Sequence, residues 1–396
     1  MVPRSRAAPP ARSARGKPAS RAAAAACLAL PVAAPAAIGT YRLQDISAGG
    51  TIQTAVGIDN RGGVLGESWD SGGYYTSPDT GVVRLTDPRV PGVPPGPVPT
   101  TARGADINAQ GVVSGAWYPS GEVRAFRYSA EGGMRDLGVS GAEANGTDDA
   151  GRTVGRFRGG TGRAYFIADP DGAIATSTAP VPLWSITGLR NDGVIVANRQ
   201  HATQSERPAV GLLDGGTWRD LATADTYSSQ AMGFNEQGAV VGMLGEHSDA
   251  AGVTLQRAFA YTPQAGLVDL ADAMPWLNQF STASAVNEQG LVVGYGARGG
   301  QWETFSFLHD LSTGELVDLA SVLLPGTAAG WTNMYLVDVN DAGQIAGWGQ
   351  FQGGGVRAFL LSPVTPVPEP AALLMMAFGA GGVAAAVRTR RISRPR

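Results

Sequence analysis

Short apolar runs alternate with glycine-containing turns along most of the chain, and the alternation recurs as one pattern. Each copy has an apolar strand, an Asn-x-x-Gly turn, an apolar pair ending in Gly, a loop, an Ala-aromatic strand, a Gly turn and a strand ending in Asp-Leu. Asn at the first position and Gly at the fourth favour a type I turn, and the flanking apolar residues favour strands. Each copy therefore predicts four short strands, here called a, b, c and d.

The pattern occurs seven times. The glycine that closes the a–b turn recurs at intervals of 40 to 53 residues, at Gly63, Gly111, Gly151, Gly193, Gly238, Gly290 and Gly343. Asp148 replaces the Asn in the third copy, and Arg190 replaces it in the fourth. Four strands within about 46 residues is the size of one propeller blade. Residues 37–362 are therefore predicted to form an all-β, seven-bladed β-propeller.

The two ends of the repeat region distinguish a closed ring from a flat solenoid, which is the alternative. The last repeat ends after its c strand, Arg357–Leu361, whereas the segment Tyr41–Ile46 precedes the first repeat and resembles a d strand. If this N-terminal strand completes the last blade, the ring closes and no sheet edge is left exposed. We therefore expect the segment Tyr41–Ile46 to pair with Arg357–Leu361.

Residues 1–36 have the composition of a secretory signal peptide. Six basic residues and no acidic residue lie in residues 1–21, and an apolar stretch, Ala22–Ala37, follows them. Ala34 and Ala36 form an A-x-A cleavage pattern, so the mature chain is expected to begin near Ala37. The Sec machinery and signal peptidase are the expected partners. A disordered tail rich in Ala and Pro is the alternative.

A second apolar stretch lies near the C-terminus. Residues 371–387 carry no charge and would span about 25 Å as a helix, just enough to cross a bilayer. Basic residues follow in the tail 388–396, among them Arg388, Arg390 and Arg391. By the positive-inside rule they keep this tail cytoplasmic and place the body of the protein outside. An ordinary single-span anchor is one interpretation.

A Pro-rich linker, residues 363–370, precedes this stretch and ends in Pro368, Glu369 and Pro370. The order of Pro-Glu-Pro, apolar span and Arg cluster at the chain end resembles the PEP-CTERM sorting signal of Gram-negative bacteria. The resemblance implies that an exosortase, a membrane protease-transpeptidase, recognises the segment and removes the tail near Pro368–Pro370. The protein would then be anchored in the membrane only transiently, before it reaches the cell surface or the extracellular matrix.

The repeat itself is similar to the HAF repeat of exported bacterial proteins, in which His-Ala-Phe starts the third strand. Here Arg stands in the place of the His, in the tripeptides Arg124-Ala125-Phe126, Arg163-Ala164-Tyr165, Arg257-Ala258-Phe259 and Arg357-Ala358-Phe359. The resemblance spans nearly all of residues 41–362. It implies a propeller-like shape and an extracellular location, and it supplies no catalytic residue.

Charge and cysteine content exclude two classes of function. Between the two basic ends lie 19 basic and 33 acidic residues, and an acidic body repels phosphate backbones, so nucleic acid is not an expected partner. The one cysteine, Cys27, lies in the leader. The mature protein therefore has no intrachain disulfide and no thiol chemistry.

No catalytic, metal or cofactor site is predicted. Asp45, Asp136, Asp220, Asp269 and Asp318 share one position in strand d, and carboxylates repeated around a ring are expected to be scaffold. The histidines have no metal-ligand spacing and are expected in solvated loops. Asp106–Gly111 and Asp338–Gly343 resemble calcium loops but lack the downstream Glu. A secreted propeller enzyme, such as a glycosidase or lyase, would need an unrepeated carboxylate pair or a His facing the central channel.

Tryptophan placement suggests a binding surface. Because strands alternate in direction, b–c loops and d–a segments emerge at the same end of every sheet, and seven of the eight Trp residues fall there. The predicted ligand face comprises Trp69, Trp117, Trp276, Trp302, Trp331 and Trp348. Exposed rings would offer flat platforms for a polysaccharide. The alternative is that the rings fill gaps between blades.

Overall fold

The structure is a computed structural model that describes residues 38–85, 101–200, 207–222, 226–248, 253–270, 280–298 and 303–364. These residues all belong to the unit Ala37–Arg396. They form β-strands almost throughout and include one four-residue helix, α1 (Leu319–Val322). The predicted all-β class is confirmed. The predicted signal peptide, sorting motif, membrane helix and basic tail lie outside the described residues.

One strand, β1 (Tyr41–Asp45), precedes the repeats, and each repeat then contributes strands a to d in chain order. Repeat 1 comprises β2 (Thr54–Ile58), β3 (Val64–Ser68), β4 (Gly72–Ser77) and β5 (Gly81–Arg84). Repeat 2 comprises β6 (Ala102–Ile107), β7 (Val113–Trp117), β8 (Arg124–Ser129) and β9 (Gly133–Ser140). Repeat 3 comprises β10 (Ala142–Thr147), β11 (Thr153–Phe157), β12 (Ala164–Ala168) and β13 (Ile174–Thr178). Repeat 4 comprises β14 (Leu183–Leu189), β15 (Ile195–Gln200), β16 (Pro208–Asp214) and β17 (Thr217–Asp220). Repeat 5 comprises β18 (Ser228–Phe234), β19 (Val240–Ser248), β20 (Val253–Thr262) and β21 (Gly266–Asp269). Repeat 6 comprises β22 (Phe280–Val286), β23 (Leu291–Arg298), β24 (Glu303–Asp310) and β25 (Leu316–Asp318). Repeat 7 comprises β26 (Trp331–Val339), β27 (Ile345–Phe351) and β28 (Val356–Pro363).

Within each repeat, strands adjacent in sequence pair antiparallel and form a four-stranded unit. The units of repeats 5 and 6 are joined into one eight-stranded sheet through a single parallel pair, Gln256 with Phe280. Repeat 7 supplies only three strands, and β1 completes its sheet by pairing with β28 from Tyr41–Pro363 to Asp45–Phe359. The expected pairing of the first strand with the last repeat is confirmed.

The hydrophobic core is divided among the interfaces between neighbouring repeats. Leu65 and Tyr75 of repeat 1 pack with Ile107 and Phe126 of repeat 2. A second cluster joins Leu43 of β1 to residues of repeats 6 and 7. Each sheet therefore buries both of its faces against its neighbours, so a repeat has no complete core by itself.

A phenylalanine on strand c covers a glycine on strand b in five of the repeats. Phe126 lies opposite Gly115, and a Cβ on Gly115 would lie 2.7 Å from the ring. The same pairing joins Phe166 to Gly155, Phe259 to Gly242, Phe307 to Gly294 and Phe359 to Gly347. All five rings are fully buried. The recurring apolar pair that ends in Gly is explained by this close packing of a ring on the backbone.

Repeats 3 and 4 depart from the alignment expected from the sequence. In repeat 3 the residue opposite Gly155 is Phe166, so the Arg163-Ala164-Tyr165 assignment is one residue out of register. In repeat 4 the glycine is on strand c: Gly211 lies opposite Ala197, and the ring of Trp218 on strand d contacts the Gly211 backbone. Trp218 thus takes the place of the missing Phe.

The a–b turns have the predicted hydrogen bond in every repeat: the N–H of the fourth residue donates to the carbonyl of the first. In repeat 1 this turn is Asp59–Gly62, and Gly62 has a φ of +82°, the same as Gly111 in repeat 2. The prediction of Gly63 as the turn glycine is therefore wrong by one residue. A left-handed φ at this position suits glycine because an L side chain would be strained there.

The first residue of each turn links its repeat to the next one. Asn287 is buried; its Oδ1 accepts the N–H groups of Gln289 and Leu291, at 3.1 and 2.9 Å, and its Nδ2 donates to the carbonyl of Asn340, at 2.9 Å. The same Nδ2 bond is made by Asn108 to the carbonyl of Asp148, by Asn235 to that of Asn287 and by Asn340 to that of Asp59. Asn is suited to this position because its amide is both acceptor and donor.

Where the Asn is absent, an arginine supplies the missing donor. Arg190 itself donates to the carbonyl of Glu236, at 3.3 Å. In repeat 3, Arg152 pairs with Asp148 at 2.6 Å and donates to the carbonyl of Asn191. In repeat 1, Arg61 donates to the carbonyl of Gln110. The turns of all seven repeats are therefore connected in a closed circuit of hydrogen bonds, which we call the turn belt.

Candidate functional site

A channel with a volume of about 330 Å³ lies inside the turn belt and is lined by the a strands and turns of all seven repeats. Its described lining residues include seven acidic side chains and no basic one. The acidic residues are Asp106, Asp148, Asp149, Glu236, Glu288, Asp338 and Asp341. The channel wall therefore carries many acidic groups. The end of the molecule that contains the turn belt is called the turn end here.

Four of these carboxylates stand at the second position of their turns and accept hydrogen bonds from a neighbouring repeat. Glu236 accepts the backbone N–H of Asn191, Glu288 accepts that of Glu236, and Asp341 accepts that of Glu288, at 2.7 to 3.0 Å. Asp149 exchanges two hydrogen bonds of 2.8 Å with Asn191. The residue at the second turn position thus bonds to its counterpart in a neighbouring repeat. An acidic side chain is suited to this position because it accepts a backbone N–H there.

Asp106 and Asp338 occupy a different position, at a β-bulge that every a–b ladder contains. The other repeats have Gly or Ala there, because neighbouring a strands approach closely. A Cβ on Gly146, for example, would lie 2.7 Å from the Cα of Gly188. The two aspartates therefore form an unrepeated pair of carboxylates on the channel wall.

Each of the two carboxylates reaches the next repeat. Asp338 accepts the N–H of Ile58 at 2.8 Å and lies beside Gly57, where a Cβ would be 3.2 Å from its Oδ2. Asp106 accepts the N–H of Thr147 at 3.2 Å. Both side chains are only partly exposed. Burial raises the pKa of Asp106 to about 7, with a smaller contribution from the charge on Asp338, and burial raises the pKa of Asp338 to about 6.

An unrepeated carboxylate pair on the channel wall is a feature that a propeller enzyme would need. The sequence pattern had placed these residues only at the start of calcium-like loops. Their carboxylates are directed to backbone amides instead, and among the described residues no group of three His, Cys, Asp or Glu side chains is placed to hold a metal ion. The bulge position that they share was not visible in the sequence, because the bulge leaves no mark in the hydrophobic pattern.

The repeated aspartates of strand d lie away from the channel. They pair with arginines of the same sheet at 2.7 to 3.0 Å: Asp136 with Arg124, Asp220 with Arg199, Asp269 with Arg257 and Asp45 with Arg357. Asp318 caps helix α1 by accepting the N–H of Ala320. These contacts agree with the expected scaffold role. His309 is buried in β24, so the prediction of a solvated loop is wrong for this histidine.

The opposite end of the molecule, with the b–c loops and the starts of the a strands, is called the Trp end here. Trp69 is 61% exposed and Trp184 is 40% exposed. Trp117 and Trp331 are buried, at 6% and 8% exposure, and Trp331 packs on Phe351 and Phe359. Trp276 and Trp302 lie outside the described residues. Trp117 and Trp331 are thus placed as the gap-filling alternative predicts, because a buried ring is no platform for a ligand.

Trp348 is half-buried in a row of aromatic rings between repeats 6 and 7. It stacks on Tyr335 with a centroid distance of 4.1 Å and an interplanar angle of 19°. Tyr335 contacts Tyr295 edge to face at 5.0 Å, and Tyr295 contacts Phe280 at 6.2 Å. The row stabilises the interface between the two repeats, and the partial exposure of its rings leaves an aromatic strip at the Trp end.

The described residues include no helix with the length and apolar character needed to cross a bilayer.

Two family models match the chain. The model described as "Protein of unknown function (DUF3466)" matches residues 186–358, which is less than half of the chain. The PEP-CTERM protein-sorting motif matches residues 366–391. The second match confirms the predicted sorting signal and indicates an exported protein of a Gram-negative bacterium that an exosortase processes and that is transiently anchored in the membrane. Neither match is to a HAF repeat, so that resemblance rests on the sequence pattern alone.

No curated protein matches the chain. Among solved structures, the β-propeller domain of the Trilobed protease from Pyrococcus furiosus is 8% identical, covers 84% of this chain and 100% of that chain, and has a TM-score of 0.51. The acylaminoacyl peptidase of Pyrococcus horikoshii is 10% identical over 80% of this chain and 52% of the peptidase, with a TM-score of 0.51. Virginiamycin B lyase from Staphylococcus aureus is 13% identical over 82% of this chain and 100% of the lyase, with a TM-score of 0.49.

At these identities the likeness shows the fold alone, which is a β-propeller. The domain from Pyrococcus furiosus is described as having an open velcro topology. In the present chain the first strand pairs with the last repeat, so its last sheet is closed by the N-terminal strand.

Proposed function

We propose that this chain is an exported, exosortase-sorted surface or matrix protein whose propeller is non-catalytic and binds a polysaccharide at the Trp end. The observation that carries the proposal is the exposure of Trp69 and Trp184 at the same end of the ring. An exposed indole loses little conformational entropy on binding and offers a large flat apolar area. The apolar C–H face of a pyranose is complementary to such a surface.

The propeller is proposed to have seven blades, with the eight-stranded sheet counted as two. Support comes from the single parallel pair that joins its halves and from the seven repeats that line one channel. A signal peptide in residues 1–36 would direct the body through the Sec machinery, and signal peptidase would remove it. The stretch 371–387 would be the transient membrane helix, and exosortase cleavage near Pro368–Pro370 would release the body to the cell surface.

Affinity electrophoresis of the full chain, purified in detergent, tests the binding function. Gels would contain polygalacturonate, alginate, dextran or no polysaccharide. We expect retardation in at least one polysaccharide gel and about tenfold weaker binding by the double variant Trp69→Ala, Trp184→Ala. Ile174→Ala is the matched control, because it removes a side chain that is also 40% exposed, from the outer strand β13. Absence of retardation in every gel contradicts the proposal.

A secreted propeller enzyme is the second candidate, and the pair Asp106 and Asp338 is the observation that favours it. Two channel carboxylates with pKa values raised to about 7 and about 6 have the protonation behaviour of a general acid near neutral pH. Their bonds to backbone N–H groups of neighbouring repeats support a structural role instead. Glycan depolymerisation that disappears in both Asp106→Asn and Asp338→Asn, with the fold intact, would favour the enzyme.

A further inference from the structure

A cleft of about 400 Å³ opens at the Trp end between repeats 3 and 4, and it contains Trp184. Its walls are the end of β11 with Arg156, the loop Gly159–Gly162, the start of β14 and the end of β15 with Gln200. The volume lies within the range of small-ligand sites, which begins at about 300 Å³.

The backbone of the cleft is held by hydrogen bonds within repeat 4 and between repeats 3 and 4. The N–H of Leu183 donates to the carbonyl of Gly162 at 2.8 Å, and the N–H of Gln200 donates to the carbonyl of Pro182 at 3.0 Å. Arg156 donates from Nη1 to the carbonyl of Trp184, at 2.8 Å. The indole is therefore fixed at its backbone while its ring remains exposed, so the cleft is formed before any ligand binds.

The charge beside the cleft is positive, in contrast to the acidic body. Arg156 and Arg158 both pair with the single carboxylate of Glu143, at 3.0 and 2.8 Å. Two guanidinium groups against one carboxylate leave a net charge of +1. Arg199, which precedes Gln200, is neutralised by Asp220 at 2.7 Å. An anionic ligand would thus meet an uncompensated positive charge.

Polar groups in the cleft remain available for a ligand. The side chain of Arg156 is 27% exposed, so part of its guanidinium group faces the cleft although its Nε is buried. Gln200 is exposed, and its side-chain amide makes no hydrogen bond to another described residue. A guanidinium N–H and a carboxamide next to an exposed indole are groups that can bind the polar substituents of a sugar while its apolar face stacks on the ring.

We propose that this cleft is a subsite for one hexuronate residue of an acidic polysaccharide, with Trp184 as the platform and Arg156 and Gln200 as the polar contacts. The inference rests on the proposed polysaccharide-binding function, and it names the sugar class and the position of one subsite. The attraction between the carboxylate of the sugar and the guanidinium groups of Arg156 and Arg158 selects acidic over neutral polymers.

Isothermal titration of the full chain in detergent tests the subsite with two matched probes, polygalacturonate and its carboxyl-reduced, neutral form. We expect the reduced polymer to bind about tenfold more weakly. Trp184→Ala is expected to weaken binding of polygalacturonate about tenfold, whereas Trp184→Phe retains most of it and Gln200→Ala weakens it about threefold. Ile174→Ala is expected to bind like the wild type. Each variant is compared only if its urea unfolding midpoint matches that of the wild type.

The possible failures are distinguishable. If polygalacturonate, alginate and dextran all fail to bind the wild type, the proposed function itself fails. If the chain binds polysaccharide and Trp69→Ala weakens binding while Trp184→Ala does not, the binding function stands and the subsite is overturned. If Trp184→Ala weakens binding of the acidic and the reduced polymer equally, and the wild type does not distinguish them, the assignment to an acidic sugar is overturned.

Discussion

The two ends of the propeller follow opposite rules. At the turn end, the same chemical task recurs in every repeat, since a donor must reach the carbonyl of the next turn. At the Trp end, the placement of the tryptophans does not recur: Trp69 is exposed in one loop, Trp117 is buried at the end of its strand, and Trp184 lies in a cleft. The repeated turn residues therefore belong to the scaffold, whereas the tryptophans that do not repeat are the residues that could have acquired a binding role.

The turn belt shows that the repeated feature is a donor rather than a residue type. Repeats 1, 3 and 4 lack the Asn, and each has an Arg whose guanidinium donates to the carbonyl of the following repeat. A closed ring leaves no repeat at an edge, so a missing link in one repeat weakens both of its neighbours.

The largest expected effect comes from breaking one link of the turn belt. Asn287→Asp removes the donor to the carbonyl of Asn340 and places a carboxylate beside that carbonyl in a buried position. We expect the free energy of unfolding to fall by about 3 kcal/mol. Urea unfolding of the full chain in detergent measures it. Gln289→Glu makes the same amide-to-acid change at an exposed position of the same turn and should alter stability by less than about 0.5 kcal/mol. Equal effects of the two variants would refute the belt as a structural link.

A smaller effect is expected from pH. Because the folded pKa values of Asp106 and Asp338 are raised above the usual value of about 3.9, the stability that these groups contribute at low pH is lost as the pH rises through about 6 to 7. Replacing both by Asn should add on the order of 2 kcal/mol of stability at pH 8 relative to pH 5. The difference between variant and wild type cancels the contribution of His309, whose pKa is lowered by burial.

Urea unfolding at pH 5 and pH 8, repeated for the double Asn variant, measures this difference. Carboxylates with lowered pKa values, such as Asp45 and Glu143, lose their stabilising interactions below this window and do not interfere. An identical pH dependence in wild type and variant would mean that the two channel carboxylates are ionised in the fold at all these pH values.

The smallest effect is expected at the repeated aspartates. Asp136→Asn removes an ion pair with Arg124 that is partly exposed, so we expect a loss of about 0.5 to 1 kcal/mol and unchanged polysaccharide binding. The free energy of unfolding and the affinity for polysaccharide, measured on the same variant, show whether Asp136 has a structural or a binding role. A loss of binding without a loss of stability would make this ion pair part of the binding site rather than scaffold.

Much of the fold was predictable because it repeats. The strand pattern, the turns and the pairing of Tyr41–Ile46 with Arg357–Leu361 follow from local propensities and from the need to leave no open sheet edge. The register errors at Gly63 and Tyr165 arose where two adjacent residues, Gly62 and Gly63 or Tyr165 and Phe166, could both satisfy the pattern. Only the hydrogen-bond ladder decides between such neighbours.

The candidate site was less predictable because burial depends on neighbours that are distant in sequence. Trp117 and Trp331 have the same strand-end placement as exposed rings, yet the adjacent sheets cover them. Asp106 and Asp338 were recognised as acidic, but their position at a bulge between two repeats follows from the tertiary structure alone. The cleft around Trp184 combines residues of two repeats and has no signature in either one.

Hydroxyl-radical footprinting of the full chain, with and without polygalacturonate, tests directly which end of the propeller binds. The reporters are Trp69 and Trp184 at the Trp end and Met232, which is exposed to the central channel at the turn end. We expect the polysaccharide to protect Trp184, and Trp69 to a smaller extent, while the labelling of Met232 is unchanged. Protection of Met232 with undiminished labelling of both tryptophans would contradict this expectation and place the ligand in the channel with Asp106 and Asp338.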